Sequence, residues 1–187
     1  MRKPKFKAVF IPTFSLFIIC LVITALLSIT NTVTKDKISE NEAQTKNESM
    51  KAVCEDAASF DEIIKDVLFE GKDRTGNTVG YAVSTAANGY GGQIKVMTGI
   101  KEGKVIGIEV YYNDDETPGL GKNTSLASFT DQFKDLPTDE NIIVSKDYSG
   151  EGQQIDAVTS ATISSRAVVS AVNEALEIYN ENAEEGN

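Results

Sequence analysis

QIKVMTGIKEGKVIGIEVYY, residues 93–112, is the stretch that decides the fold. Gln93–Thr98 (QIKVMT) and Lys104–Tyr112 (KVIGIEVYY) are rich in β-branched and aromatic residues and read as strands. In the second, Ile106, Ile108, Val110 and Tyr112 recur at period two and are expected on one face. Between them Lys101–Lys104 (KEGK) predicts a hairpin turn with Gly103 at a positive-φ position. Working outward, Thr78–Thr85 (TVGYAVST), Asn141–Ser145 and Gln154–Val158 read as further strands. Met50–Leu68 places Val53, Ala57, Phe60, Ile64 and Leu68 three or four residues apart, which predicts a helix packed on a core. Leu126–Phe133 reads as a short helix inside the amphipathic stretch Asn123–Phe133. A last helix is expected from about Ile163 to Tyr179, burying Ala167, Val168, Ala171, Val172, Leu176 and Tyr179. We find no internal repeat. Strands joined in sequence, with helices before and after, predict an α+β domain: an antiparallel, half-barrel-like sheet flanked by helices.

Before that domain, Ala8–Thr30 (AVFIPTFSLFIICLVITALLSIT) carries no charge. As a helix it is about 34 Å long, enough to cross a bilayer core. It is longer than the apolar core of a cleaved signal peptide, and no convincing small-x-small cleavage site follows it. We therefore expect one transmembrane anchor. Arg2, Lys3, Lys5 and Lys7 precede it, while Lys35 and Lys37 after it are offset by Asp36 and Glu40. That bias puts the N-terminus in the cytoplasm and the domain outside. The expected organisation is a basic cytoplasmic segment 1–7, an anchor 8–30, a polar, partly helical stalk 31–50 and an extracytoplasmic domain 51–187. Cys54 is then expected outside the membrane.

Composition narrows the chemistry. The 187 residues carry a net charge of −10, and the chain beyond residue 30 holds 14 bases against 28 acids. Such a domain repels a nucleic-acid backbone. There is no histidine, the commonest metal ligand and the usual general base. Two cysteines, Cys20 and Cys54, cannot build a cysteine-ligated iron–sulfur cluster or a CxxC redox pair. Redox chemistry here requires an organic cofactor. We expect no metal ligands and no catalytic residues. Asn113–Glu116 (NDDE) lacks the spacing of a calcium loop. Only the last few residues look disordered.

Four segments remain. Asp156–Thr162 (DAVTSAT) runs into Ile163–Ser165 (ISS), so Thr162 sits where a strand turns into a helix. The unpaired N–H groups and positive dipole end of that helix favour an anion. Thr159, Ser160, Ser164, Ser165 and Arg166 add donors and charge. The same residues also make an ordinary Ser/Thr-rich helix cap, and the residues alone leave both readings open. Glu116–Gly121 (ETPGLG) reads as a tight loop brought close to something flat or bulky, or as a plain surface turn. Gly89–Gly92 (GYGG) offers one aromatic among three glycines, for stacking or for a flexible hairpin. Asn123–Phe133 is the fourth, and reads as core.

Together these segments resemble the FMN-binding domain shared by the Rnf complexes and the Na⁺-translocating NADH:quinone oxidoreductases, and are most similar to the RnfG proteins of the former. DAVTSAT resembles the family's flavinylation motif at Asp156, Thr159, Ala161 and Thr162; Ser160 stands where glycine is usual. ETPGLG, GYGG and the single anchor match the remaining signatures. The resemblance implies FMN, moved from FAD by a flavin transferase onto the Thr162 hydroxyl as a phosphodiester. It implies that Thr159, Ser160, Ala161 and Ser164 line the phosphate and that Glu116, Thr117, Gly119 and Leu120 line the isoalloxazine. It also implies Tyr90 as a further ring contact and Asp156 as a residue for recognition by the transferase. The implied partners are the other membrane subunits of a complex that links ferredoxin and NAD⁺ to Na⁺ or H⁺ movement. Three alternatives are a part like the C-type subunit of the Na⁺-translocating quinone reductase, an anchored binding or structural domain without flavin, and a stand-alone flavin reductase.

Overall fold

A computed structural model describes residues 6–145 and 152–183. Arg2, Lys3 and Lys5 of the basic N-terminus, and the end of the chain expected to be disordered, lie outside the described residues. The chain forms two compact units, Met1–Gln44 and Thr45–Asn187. Helix α1 runs from Phe6 to Val53, through the stretch read as a stalk. Within it Phe10–Lys35 spans 26 residues and holds an 18-residue window with a mean hydropathy of 2.6, long and apolar enough to cross a membrane by length and composition.

The second unit is built on a five-stranded antiparallel meander in sequence order: β1 (Ser59–Ile64), β2 (Leu68–Lys72), β3 (Thr78–Asn88), β4 (Gln93–Lys101) and β5 (Lys104–Tyr112). The α+β reading and the sequential hairpins hold. Beyond β5 come a 3₁₀ turn (Gly121–Ser125), the one-turn helix α2 (Ala127–Thr130) and a second 3₁₀ turn (Asp131–Phe133). Strands β6 (Ile142–Val144) and β7 (Gln153–Ile155) form a separate parallel pair, and helix α3 (Thr162–Ala183) closes the unit. The expected helix at Leu126–Phe133 is thus a chain of short turns, which still buries Phe129 and Phe133.

Both faces of the sheet are covered. On one, Val83, Ile94, Val96, Ile100, Val105, Ile108 and Val110 pack with Ala167, Val168, Ala171, Val172, Ala175 and Leu176 of α3. Each buried Val, Ile or Leu side chain contributes roughly 1.5–3 kcal/mol of transfer free energy. Thr85 donates its hydroxyl to Ala171 O at 2.8 Å, and the Asn173 side-chain amide pairs with both backbone groups of Ile142, at 3.0 and 2.9 Å. On the other face, Met50, Val53 and Cys54 cover Phe69, Ala82 and Met97. Gly99 makes that approach possible, since a Cβ there would stand 2.7 Å from Val53 O.

Two expectations are corrected. Met50–Leu68 is not one helix: α1 ends at Val53, and Ser59 onward is strand. The apolar spacing misleads because a step of four fits a helix of period 3.6 and a strand of period two equally well. Phe60, Ile64 and Leu68 are four apart. The second correction concerns β5. Val110 pairs Val96, Ile108 pairs Thr98 and Val105 pairs Ile100, which leaves Ile106 and Tyr111 as extra residues in two bulges. The bulges flip the alternation. Val105, not Ile106, shares the α3 face with Ile108 and Val110, while Ile106 packs toward Phe69 and Met97. Tyr112 pairs with Lys95, whose ammonium lies 5.2 Å from the ring centre. At the KEGK turn, both Glu102 (φ 52°) and Gly103 (φ 72°) are left-handed, the signature of a two-residue type I′ hairpin.

Candidate functional site

Thr162 is the first residue of α3. Ala161 O accepts the first intrahelical bond, from Ser165 N at 3.0 Å, so the N–H groups of Thr162, Ile163 and Ser164 have no intrahelical acceptor. Ala161 N donates back to Val158 O at 3.0 Å, and Ser160 between them has φ 62°. The chain therefore turns into the helix through a left-handed residue, a conformation that glycine adopts without a Cβ penalty. That is the physical reason glycine suits this position.

The hydroxyls of this run divide sharply. Ser165 is fully buried; its Oγ accepts the Val158 N–H and donates to Ala161 O, both at 3.0 Å. Ser164 is 1% exposed and donates to Glu116 Oε2 at 2.7 Å. Thr162 is half-buried, and among the described residues its hydroxyl makes no hydrogen bond. Thr159 and Ser160 are exposed. Asp156 is exposed too; its backbone is bracketed by the Gln132 side-chain amide, at 2.7 and 3.2 Å, and its carboxylate accepts from Ser145 Oγ at 2.8 Å.

The three signature segments meet. Glu116 is 3% exposed, with Oε1 accepting the Gly91 N–H at 3.0 Å and Oε2 taken by Ser164. Its carboxylate thus points into the protein, where the sequence reading set it against a ring, and Ser164 points at Glu116 where it was set against a phosphate. Gly121 is buried, while the middle of the ETPGLG loop stays outside: Thr117, Pro118, Gly119 and Leu120 are exposed, and Gly119 has φ 78° with open space around it. The loop is tied by Leu120 N and Lys122 N, both donating to Thr117 O, and by Asn123 Nδ2 donating to Gly119 O at 3.0 Å.

A cleft of about 490 Å³ runs between this loop and the DAVTSAT segment. Gly119, Leu120 and Leu126 form one wall, and Val158, Thr159 and Ser160 the other. Thr162 stands two residues beyond Ser160. Tyr90, on the GYGG loop, is 73% exposed and does not line the cleft. The residues present fit a flavin phosphate ester: free N–H groups at a helix start for the anion, and a half-apolar cleft next to them for a ring. Gln132 and Leu126 escaped the sequence reading. Nothing in their spacing marks them, because they reach the cleft through the irregular turns after β5.

Residues 89–177 match the family model described as FMN-binding domain, and residues 1–53 the one described as RnfG N-terminal region. The chain is 33% identical over 172 residues to the G-type subunit of the proton-translocating ferredoxin:NAD(+) oxidoreductase complex of Clostridium ljungdahlii, covering 91% of each chain. It is 35% identical over 194 residues to the G-type subunit of the Na(+)-translocating ferredoxin:NAD(+) oxidoreductase complex of Acetobacterium woodii, covering 92% of each. To the G-type subunit of the ion-translocating oxidoreductase complex of Methanosarcina acetivorans it is 33% identical over 184 residues, covering 92% and 94%. Among solved structures, the C-type subunit of the Na(+)-translocating NADH-quinone reductase from Parabacteroides distasonis is similar with a TM-score of 0.51 and 19% identity, over 60% of this chain and 59% of that one. That likeness shows the fold.

Proposed function

Because this chain belongs to the RnfG family, the G-type subunits of ion-translocating ferredoxin:NAD⁺ oxidoreductase complexes, we propose that its domain carries an FMN esterified to Thr162. The chain is an electron-transfer component of such a complex, whose other subunits are its partners. Bound FMN supplies the electron transfer, and the protein holds and tunes it.

The observation that carries the reading is the Thr162 hydroxyl. It stands unbonded among the described residues at the start of α3, while the hydroxyls of Ser164 and Ser165 are committed to Glu116 and to the turn. In attachment, the Thr162 oxygen bonds to the FMN phosphorus of FAD, the bond to AMP breaks, and the hydroxyl proton is lost. A flavin transferase performs this step, with exposed Asp156 in its recognition surface. The N–H groups of the first turn of α3 then hold the phosphate oxygens, with Thr159, Ser160 and Ala161 beside them. Thr117, Gly119 and Leu120 border the ring, and Tyr90 adds an exposed aromatic on the neighbouring loop. The chain has no complete active site of its own.

The apolar part of α1 is the single membrane anchor, with the N-terminus in the cytoplasm and residues 51–187 outside. A role like that of the quinone reductase's C-type subunit has only the shared fold behind it, at 19% identity. An anchored domain without flavin is separated by the visible spectrum of the purified protein. The decisive experiment is intact mass after co-expression with a flavin transferase. Wild type should gain one FMN phosphoester and fluoresce in a denaturing gel; Thr162→Ala should do neither while keeping its circular dichroism. Covalent flavin on Thr162→Ala would move the acceptor elsewhere.

A further inference from the structure

Glu116 is a carboxylate buried to 3% exposure, and among the described residues no lysine or arginine is paired with it. Burying an unpaired charge is costly, so its surroundings must compensate. They do so with two donors far from it in sequence. Gly91 of the GYGG loop gives a backbone N–H at 3.0 Å to Oε1. Ser164 in the first turn of α3 gives its hydroxyl at 2.7 Å to Oε2, where the positive end of the helix dipole also favours an anion. The loop's own Gly121 leaves room for the carboxylate beside Ser164.

One glycine of each loop, Gly89 and Gly121, leaves the space that this carboxylate fills, and Gly91 and Gly92 leave space for Asp115 beside it. A Cβ on Gly89 would collide with Oε1, and one on Gly121 would collide with Oε2 and stand 2.8 Å from Ser164 Oγ. A Cβ on Gly92 would stand 2.7 Å from the Asp115 side chain next door, and one on Gly91 would collide with Asp115 O. Two glycine-bearing segments and a helix start have therefore been fitted to one side chain.

We infer that Glu116 is the positioning residue of the flavin site, clasping the glycine loop and the ETPGLG loop to the first turn of α3 so that the Thr162 hydroxyl and the ring cleft keep a fixed relation. This rests on the function proposed above. Ser164 is two residues from Thr162, and Gly119 and Leu120 follow Glu116 by three and four. Releasing the clasp frees both ends at once, the acceptor hydroxyl and the wall that faces the ring. A carboxylate suits the task because one side chain accepts two bonds in divergent directions. Aspartate is one methylene too short to reach both Gly91 and Ser164. Glutamine keeps the length and one carbonyl acceptor for Gly91, and the Ser164 hydroxyl can rotate to accept from its NH₂.

The test uses the full chain in detergent with a flavin transferase and FAD, reading the loading rate by intact mass and the visible circular dichroism of the attached flavin. Glu116→Ala should load about tenfold more slowly or worse. The part that loads should show altered flavin dichroism, and Glu116→Gln should recover most of both. In unloaded protein the Gly91 amide should exchange faster in Glu116→Ala while Val96 and Val168 stay protected, which separates a lost clasp from a lost fold. If Glu116→Ala also exposes Val96 and Val168, Ser164→Ala, which removes one bond and no charge, takes its place and should slow loading and shift the dichroism in the same direction. Wild-type loading rate and dichroism in the folded variant, with Gly91 exchange accelerated, would overturn the inference. Failure of the wild type to load would instead count against the function proposed above, and the Gly91 exchange would still report on the clasp.

Discussion

Ser165 holds the turn that carries Thr162: its Oγ accepts the backbone N–H of Val158 at 3.0 Å and donates to Ala161 O at the same distance. The side chain has no exposure, so nothing replaces those bonds when it is removed. Ser165→Ala should cost about 1–3 kcal/mol, the penalty for leaving a buried polar group unpaired. At roughly 2–4 °C per kcal/mol for a domain of this size, thermal melting of the full chain will resolve it. FMN loading should slow as well, since the turn sets the direction of the Thr162 hydroxyl. An unchanged melting temperature would mean the turn is held by its backbone alone.

Ser160 lies in that same turn with φ 62°. Ser160→Gly removes the left-handed penalty of a side chain but adds chain entropy to the unfolded state. The balance should stabilise the protein by about 0.5–1 kcal/mol, and loading should not fall. A loss of stability would show that the Ser160 side chain carries a contact worth more than the backbone strain.

These two residues show where the sequence was informative. The turn into α3 was legible because hydroxyls and a helix pattern are local signals, and the departure at Ser160 was legible as a departure. The hairpin of β4 and β5 was legible from alternation and from Gly103. The bulges at Ile106 and Tyr111 were not, because a bulge is a register mismatch between two strands and leaves no mark in either alone. β1 and β2 were hidden by a spacing of four that serves both periods. Glu116 was picked out as a site residue, but its partners Gly91 and Ser164 are 25 and 48 residues away, and only the closed fold brings them together.

Cys54 makes a poor topology probe despite its place outside the apolar stretch. It is 3% exposed, its thiol lies 3.5 Å from Tyr81 O, and burial pushes its pKa up to about 11, with Lys101 pulling it partly back. The reactive species is the thiolate, so an impermeant maleimide at neutral pH should label Cys54 slowly in the folded protein and fast in denaturant. Arg74→Cys in the exposed β2–β3 turn should be labelled from outside in intact cells, as the proposed orientation requires. Labelling of that cysteine only after lysis would reverse the orientation.

That β2–β3 turn also carries an acid-sensitive contact. Asp73 Oδ1 accepts from the Thr75 hydroxyl, Thr75 N and Asn77 N at 2.7, 2.7 and 2.9 Å. Chiefly the Thr75 hydroxyl, with the Asn77 N–H next, lowers its pKa to about 2 from an ordinary 3.8. A depressed carboxyl pKa stabilises the fold above the unfolded value and loses that contribution as pH falls toward the folded one. Asp73→Ala should therefore melt below wild type at pH 6, with the difference shrinking between about pH 4 and 2. A difference constant across that window would assign the effect to turn geometry rather than charge.

Thr98 presents the opposite case, a polar group that the fold pays to bury. On β4 it alternates with Val96 and Ile100 toward α3, has no exposure, and its Oγ1 has no hydrogen-bond partner among the described residues. Its cross-strand neighbours are Val83 and Ile108, both apolar. A desolvated hydroxyl without a partner costs on the order of 1 kcal/mol or more in mutational series. Thr98→Val keeps the branched shape that suits a strand and removes the liability. It should raise the melting temperature by about 2–4 °C, the shift expected for roughly 1 kcal/mol, and leave FMN loading at the wild-type rate, since no site residue touches it. A lower melting temperature would reveal that the hydroxyl has a partner in solution, such as a buried water, and that the core beneath α3 is built around it.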